Sequence, residues 1–204
     1  LITAVTDPAE SGLVASNDAP GGNVTGTSDL TPVAEQIQLL KQILPDAKTV
    51  GILYCSAEAN SVLQAEMAKE ACAEEGMEAV EYTVSASNEI QTVVESMVGK
   101  VDAIYAPTDN MIAAGMATVA MVANDNGLPV ICGESGMVEA GGLATYGIDY
   151  YQLGYLTGQQ AIEILVDGAD PAEMPIEYLS ADECELTVNQ DTADALGIDV
   201  SGLQ

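Results

Sequence analysis

The stretch from Thr49 to Cys132 limits the fold more than any other part of this sequence. Short apolar runs alternate there with segments whose apolar residues recur every three to four positions. Thr49–Tyr54 (TVGILY) suits a strand covered on both faces. A helix is predicted over Ser61–Glu75, with Val62, Ala65, Ala68 or Lys69, and Cys72 at helical spacing. Ser61 and Gln64 read as its capping box, and Gly76 ends it. Strand Glu78–Tyr82, helix Glu89–Val98, strand Asp102–Ala106, helix Asp109–Asn126 and strand Pro129–Cys132 continue the rhythm. Leu143–Tyr146 reads as a fifth strand and Tyr151–Val166 as a further helix. Glu185–Val188 is one more strand, followed by a short helix near Asp191–Leu196. Strands and helices alternating over short connections specify an α/β fold, a doubly wound parallel sheet. The first thirty residues differ: Leu1–Val5 reads as a strand, Asp18–Asn23 as a turn cluster, and Asn23–Thr27 as extended.

Composition removes several functions. The 204 residues hold 32 Asp and Glu against 4 Lys and no Arg, a formal net charge of −28. That charge repels nucleic acid and anionic lipid. There is no His, so neither Ser-His-Asp catalysis nor a His-ligated metal site is available. Gly21 to Ser28 approaches a phosphate loop, but Thr27 stands where that loop needs Lys. Cys55, Cys72, Cys132 and Cys184 match no zinc spacing and read as buried thiols. No cofactor or metal is implied. No apolar run has the roughly 20 residues of a membrane span. The chain opens without Met in a strand-like run, which reads as a fragment or processed product that begins within a fold.

Geometry then points to a site. In open α/β sheets, ligands sit beyond the C-terminal strand ends, where strand order reverses. With strand order 2-1-3-4, that point lies between the first and third strands. The loops there are Cys55–Ser61 (CSAEANS) and Ala106–Asn110 (APTDN). Each opens a helix, and helix N-termini offer unpaired N–H groups to a carboxylate. Glu134-Ser135 adds a third polar loop on the same edge, and Asp109, Glu134 and Asp149 are candidates to receive an ammonium group. Ser61 and Asp109 can equally be read as helix caps, and Asn60 as a turn residue. Tyr146, Tyr150 and Tyr151 cluster near Asp149, either as ligand contacts or as core. Three functions stay open on this basis: a solute-binding module, an effector-sensing domain of a regulator, and a small enzyme using carboxylates.

Five ordered motifs narrow the choice. They are Ala4-Val5-Thr6-Asp7-Pro8; Asn23-Val24-Thr25-Gly26; Gly51-Ile52-Leu53-Tyr54 with Glu58-Ala59-Asn60-Ser61; Pro107-Thr108-Asp109-Asn110; and Gly147-Ile148-Asp149-Tyr150-Tyr151-x-x-Gly154. Together they resemble the ABC-transporter substrate-binding proteins of the tryptophan/tyrosine-binding type. The resemblance implies a two-lobed type I periplasmic-binding fold with the N-terminal part of the first lobe absent. Residues 1–26 would be part of that lobe, 27–146 the second lobe, 147–178 the return, and 179–204 a crossover ending in the second lobe. It further implies a small zwitterion, an aromatic amino acid, held between hinged lobes and passed to ABC permease subunits. By the same likeness, Asn60 and Ser61 would lie near the ligand carboxylate and Thr108, Asp109 and Asn110 near its polar head. Glu134, Ser135 and Asp149 would line the cleft, and Thr27, Ser28 and Asp29 would contribute from the hinge. A monomeric, non-enzymatic protein outside the cytoplasm, lipid-anchored or periplasmic, is what such a family implies.

Overall fold

The computed structural model describes residues 1–203. The chain forms two compact units, and neither is continuous in sequence. One comprises Leu1–Thr31 and Ile148–Glu185; the other comprises Pro32–Gly147 and the segment from Leu186 on.

The second unit is built on one sheet. Its elements are α1 (Val33–Ile43), β1 (Thr49–Cys55), α2 (Ala59–Glu74), β2 (Glu78–Val84), α3 (Ile90–Met97) and β3 (Ala103–Ala106). They continue with α4 (Asn110–Ala114), α5 (Met116–Asp125), β4 (Val130–Cys132), α6 (Ser135–Glu139) and β5 (Ala144–Gly147). After α7 (Tyr150–Ile162) in the first unit, β6 (Glu185–Val188) and α8 (Gln190–Leu196) complete the set. The strand order is β2-β1-β3-β4-β5-β6. The β1/β2, β1/β3, β3/β4 and β4/β5 pairs are parallel. The expected doubly wound α/β sheet and its 2-1-3-4 order are therefore present.

Two-residue periodicity sorts the strand side chains between two cores. Val50, Ile52, Tyr54, Ala103 and Tyr105 join α1, α2 and α8 on one face. Leu53, Cys55, Ile104, Ala106 and Cys132 join α3, α5 and α6 on the other. Cys55, Cys72 and Cys132 are buried thiols, and burial pushes the Cys72 thiol up to about 11. Cys184 departs from expectation, being only half-buried with its Sγ 3.7 Å from the Ser180 carbonyl.

Several expectations need correction. The predicted helix Asp109–Asn126 is two helices, divided at Gly115. A Cβ at Gly115 would stand 2.4 Å from Ile90 Cδ1, so the break falls where Ile90 of α3 packs against the chain. Leu1–Val5 forms no strand; Ile2 makes a single bridge to Gly26, and Ala4 has φ 54°, which breaks extension. Helix α7 ends at Ile162 rather than Val166, passing into a wider turn over Glu163–Asp167 that Gly168 terminates in the left-handed region. Helix α1 has no counterpart among the sequence expectations. Among the described residues no helix is long and apolar enough to cross a membrane.

Candidate functional site

The loops after β1 and β3 meet at the C-terminal edge of the sheet, and side-chain hydrogen bonds tie them together. Asp109 is the main tie. It is 2% exposed, and its Oδ2 accepts from the Cys55 amide at 2.6 Å. Its Oδ1 accepts from the Ile112 amide at 2.8 Å, capping α4. Glu58 reaches across in the opposite direction. It accepts from Asn110 Nδ2 at 2.7 Å and from the Asn110 and Met111 amides at 3.2 Å each. Asn60 Nδ2 donates to the Thr108 carbonyl at 3.3 Å and to Ser61 Oγ at 3.4 Å. Asn60, Ser61, Thr108, Asp109 and Asn110 are thus brought together.

Gln64 was expected to cap α2 with Ser61, and it does not. The helix begins at Ala59, so Ser61 is already inside it, fully buried. Gln64, also fully buried, instead grips Thr108: its Oε1 accepts from Thr108 Oγ1 at 2.7 Å, and its Nε2 donates to the Thr108 carbonyl at 3.1 Å. Gln64 and Glu58 are site-forming residues that the sequence reading did not assign to the site.

A third loop closes on the first two. Gly133 N donates to the Ala106 carbonyl at 2.7 Å. A Cβ at Gly133 would lie 2.3 Å from Thr108 N, so only glycine allows this approach. Glu134 follows, half-buried, and accepts from the Gly136 and Met137 amides at 2.7 and 2.8 Å as the cap of α6, of which Ser135 is the first residue. Behind these loops lies Gln36 of α1, fully buried. It accepts from the Tyr105 hydroxyl at 2.6 Å and donates to the Tyr146 and Gly133 carbonyls at 2.7 and 3.1 Å.

The cap pattern along this edge is uneven. Helices α4 and α6 carry their own carboxylate caps. The 16-residue α2 has no side-chain cap, and among the described residues nothing accepts from the Ala59 or Asn60 amide. Beside the junction of the loops after β1 and β3, this N-terminus has amides free to meet an anion along the helix axis.

The remaining candidates belong to the other unit. Thr27 is fully buried, with its hydroxyl 2.7 Å from Thr157 Oγ1 and 3.1 Å from Thr3 Oγ1. Ser28 is buried and donates to the Thr6 carbonyl at 2.7 Å. Asp149 caps α7, accepting from the Tyr151 and Gln152 amides. Asp29 accepts from Thr6 Oγ1 at 3.0 Å and from the Tyr150 hydroxyl at 3.4 Å. Burial nevertheless outweighs these bonds and raises its pKa above the usual carboxylate value.

A raised folded-state pKa means that the native state binds the Asp29 proton more tightly than the unfolded chain does. The ionised group therefore costs stability above that pKa, and the cost disappears as pH falls through the folded and then the unfolded value. Asp29→Asn keeps an acceptor for Thr6 and should raise the melting temperature at pH 7 by about 2–4 °C per kcal/mol relieved. The gain should shrink toward zero in buffers acidic enough to protonate the wild-type carboxyl. A gain that does not depend on pH would contradict this account.

A parallel sheet in this order, with three polar loops gathered along its C-terminal edge, is an α/β architecture of the type I periplasmic-binding class. The chain belongs to the family of ABC transporter substrate binding proteins, which it matches over residues 1–202. It is 43% identical over 196 residues to a curated tyrosine-binding protein of Clostridioides difficile (strain R20291), covering 96% of this chain and 56% of that protein. It also resembles the ABC domain from Streptococcus pneumonia solved in complex with L-Trp. That likeness has a TM-score of 0.90 and 39% identity, over 97% of this chain and 66% of that one. A ligand-free, open substrate-binding protein with adhesive properties from Clostridium difficile aligns with a TM-score of 0.80 and 43% identity, over 100% and 68%. The chain thus spans little more than half the length of its curated relative.

Proposed function

We propose that the chain is the solute-binding part of an ABC importer and takes a small zwitterionic amino acid with an aromatic side chain. The observation that carries this reading is the junction of the loops after β1 and β3, with α2 opening beside it uncapped. A ligand carboxylate at that end meets N–H groups and the positive end of a four-turn helix. With no Arg or His in the chain, a helix N-terminus takes the place of a guanidinium or imidazolium as the anion-binding device. The ammonium group meets oxygen acceptors on the facing loop, with Glu134 of the next loop as the charged partner. Asp109 has both oxygens engaged by amides at 2% exposure, so its part is to hold the loops together. Glu134 also accepts from two amides but is only half-buried, which leaves its remaining lone pairs open to an ammonium group. The tyrosine-binding relative and the tryptophan complex favour an aromatic amino acid as cargo. Thr27, Ser28, Asp29 and Asp149 remain in the proposed set on the strength of the family resemblance. The reading includes closure of two hinged lobes, delivery to ABC permease subunits, a monomeric state, and work outside the cytoplasm on a lipid anchor or in the periplasm.

Calorimetric titration with L-tyrosine and L-tryptophan tests it. Saturable one-to-one binding is expected, with the ligand recovered chemically unchanged after incubation. Absence of heat with both amino acids would overturn the proposal, and conversion of either to product would replace it with an enzymatic one.

A further inference from the structure

The hydrogen bonds around Gln64 determine more than the position of a loop. The Gln64 Nε2 lies 3.2 Å from the Asn60 carbonyl and 3.1 Å from the Thr108 carbonyl. Carbonyl oxygens only accept, so the amide nitrogen must face them and the orientation of the Gln64 carboxamide is fixed. Its Oε1 then faces Thr108, 2.7 Å from Oγ1 and 3.4 Å from the amide nitrogen. An amide oxygen cannot donate, so the single hydroxyl proton of Thr108 is committed to Gln64. Thr108 Oγ1 is left with lone pairs alone. Asn60 is oriented in the same way: its Nδ2 donates to the Thr108 carbonyl at 3.3 Å.

We propose that Gln64 is a positioning residue that makes Thr108 an obligate acceptor, so that this corner selects an ammonium group on the ligand and rejects a deaminated analogue. The inference rests on the reading of the protein as an amino-acid binder and adds the basis of its selectivity. A hydroxyl that is free to rotate could serve a carboxylate or an ammonium equally. One locked by a fully buried amide cannot donate to a carboxylate, and it supplies an acceptor oriented before binding.

The test compares L-tyrosine with 3-(4-hydroxyphenyl)propionate, which keeps the ring and the carboxylate but lacks the amino group. Calorimetry is run on the full chain as wild type, Thr108→Val, Thr108→Ser and Gln64→Leu. Losing a hydrogen bond to a charged group should weaken L-tyrosine binding by about tenfold to a hundredfold in Thr108→Val. Thr108→Ser should restore it, and the deaminated analogue should change by less than about twofold in all three variants. Gln64→Leu should narrow the preference for L-tyrosine over the analogue, whereas a loss of structure would weaken both ligands alike. Thr108→Val is nearly isosteric and keeps the test informative if Gln64→Leu fails to fold.

An unchanged ratio of the two affinities in Thr108→Val would overturn the inference while leaving amino-acid binding in place. A wild type that binds neither compound would overturn this inference, and the functional reading with it when L-tryptophan also gives no heat. Exchange of the Gln64 side-chain amide protons, followed by NMR without ligand, separates the two failures. Slow exchange is expected from the two carbonyl contacts, and fast exchange would remove the lock itself.

Discussion

Asp109→Ala should cost about 3 kcal/mol of folding stability, a large share of the total for a protein of this size. The carboxylate accepts from Cys55 N at 2.6 Å and Ile112 N at 2.8 Å while only 2% exposed. Alanine leaves both amides without an acceptor in a place water does not reach. The first amide ends β1 and the second opens α4, so one side chain joins the two loops that form the site. Asp109→Asn is not a mild change here. One amide would still find the Asn oxygen, but the other would face an NH2 group, donor against donor. Urea unfolding with an unchanged m-value is the measurement. A cost below about 1 kcal/mol for alanine would mean that these bonds are not formed in solution.

The second large effect is expected at Gln36. Leucine there has similar bulk but strands the Tyr105 hydroxyl and the Gly133 and Tyr146 carbonyls, which Gln36 serves at 2.6, 3.1 and 2.7 Å. All of this lies at a fully buried side chain, and burial holds the Tyr105 hydroxyl in its protonated, donating form. Unmade buried hydrogen bonds of this kind cost about 1–3 kcal/mol each, so Gln36→Leu should lose about 3 kcal/mol or more. Tyr105→Phe should cost less, because it removes one donor and leaves the other two bonds intact. The double variant should be more stable than the sum of the singles implies, since its leucine no longer faces an unpaired hydroxyl. Strict additivity in urea unfolding would rule out the network as a unit.

Both positions show what a sequence can reveal and where it stops. The alternation from Thr49 to Cys132 was legible because strand and helix periods are local, and short parallel connections permit few topologies. The meeting of the loops after β1 and β3 followed from the 2-1-3-4 order and is present. The bonds within that meeting were not legible. Aspartate at a helix start serves equally as a cap or as a ligand contact, and only the 2% exposure of Asp109 shows where its oxygens are spent. Gln64 looked like half of a capping box because Ser61 precedes it by three, yet its partner is Thr108, 44 residues away. Helix α1 lies outside the strand–helix rhythm, and a glutamine interrupts its buried face. Gly115 gave no signal either, since an isolated glycine in a helical run is usually tolerated. Its effect depends on Ile90, which packs against it from another helix.

The last strand has a consequence for how the protein is made. Leu186 and Val188 of β6, with Ile198 beyond it, pack onto the core that α1 and α2 cover, and Asn189 N donates to the Leu143 carbonyl at the margin of β5. During synthesis on the ribosome, residues 32–147 emerge well before this strand does. Until residues 186–203 leave the exit tunnel, one flank of β5 is bare and part of the apolar surface beneath it is wet. Sheet completion therefore waits on this segment, and a nascent chain stalled before Leu186 would offer that flank to other strands.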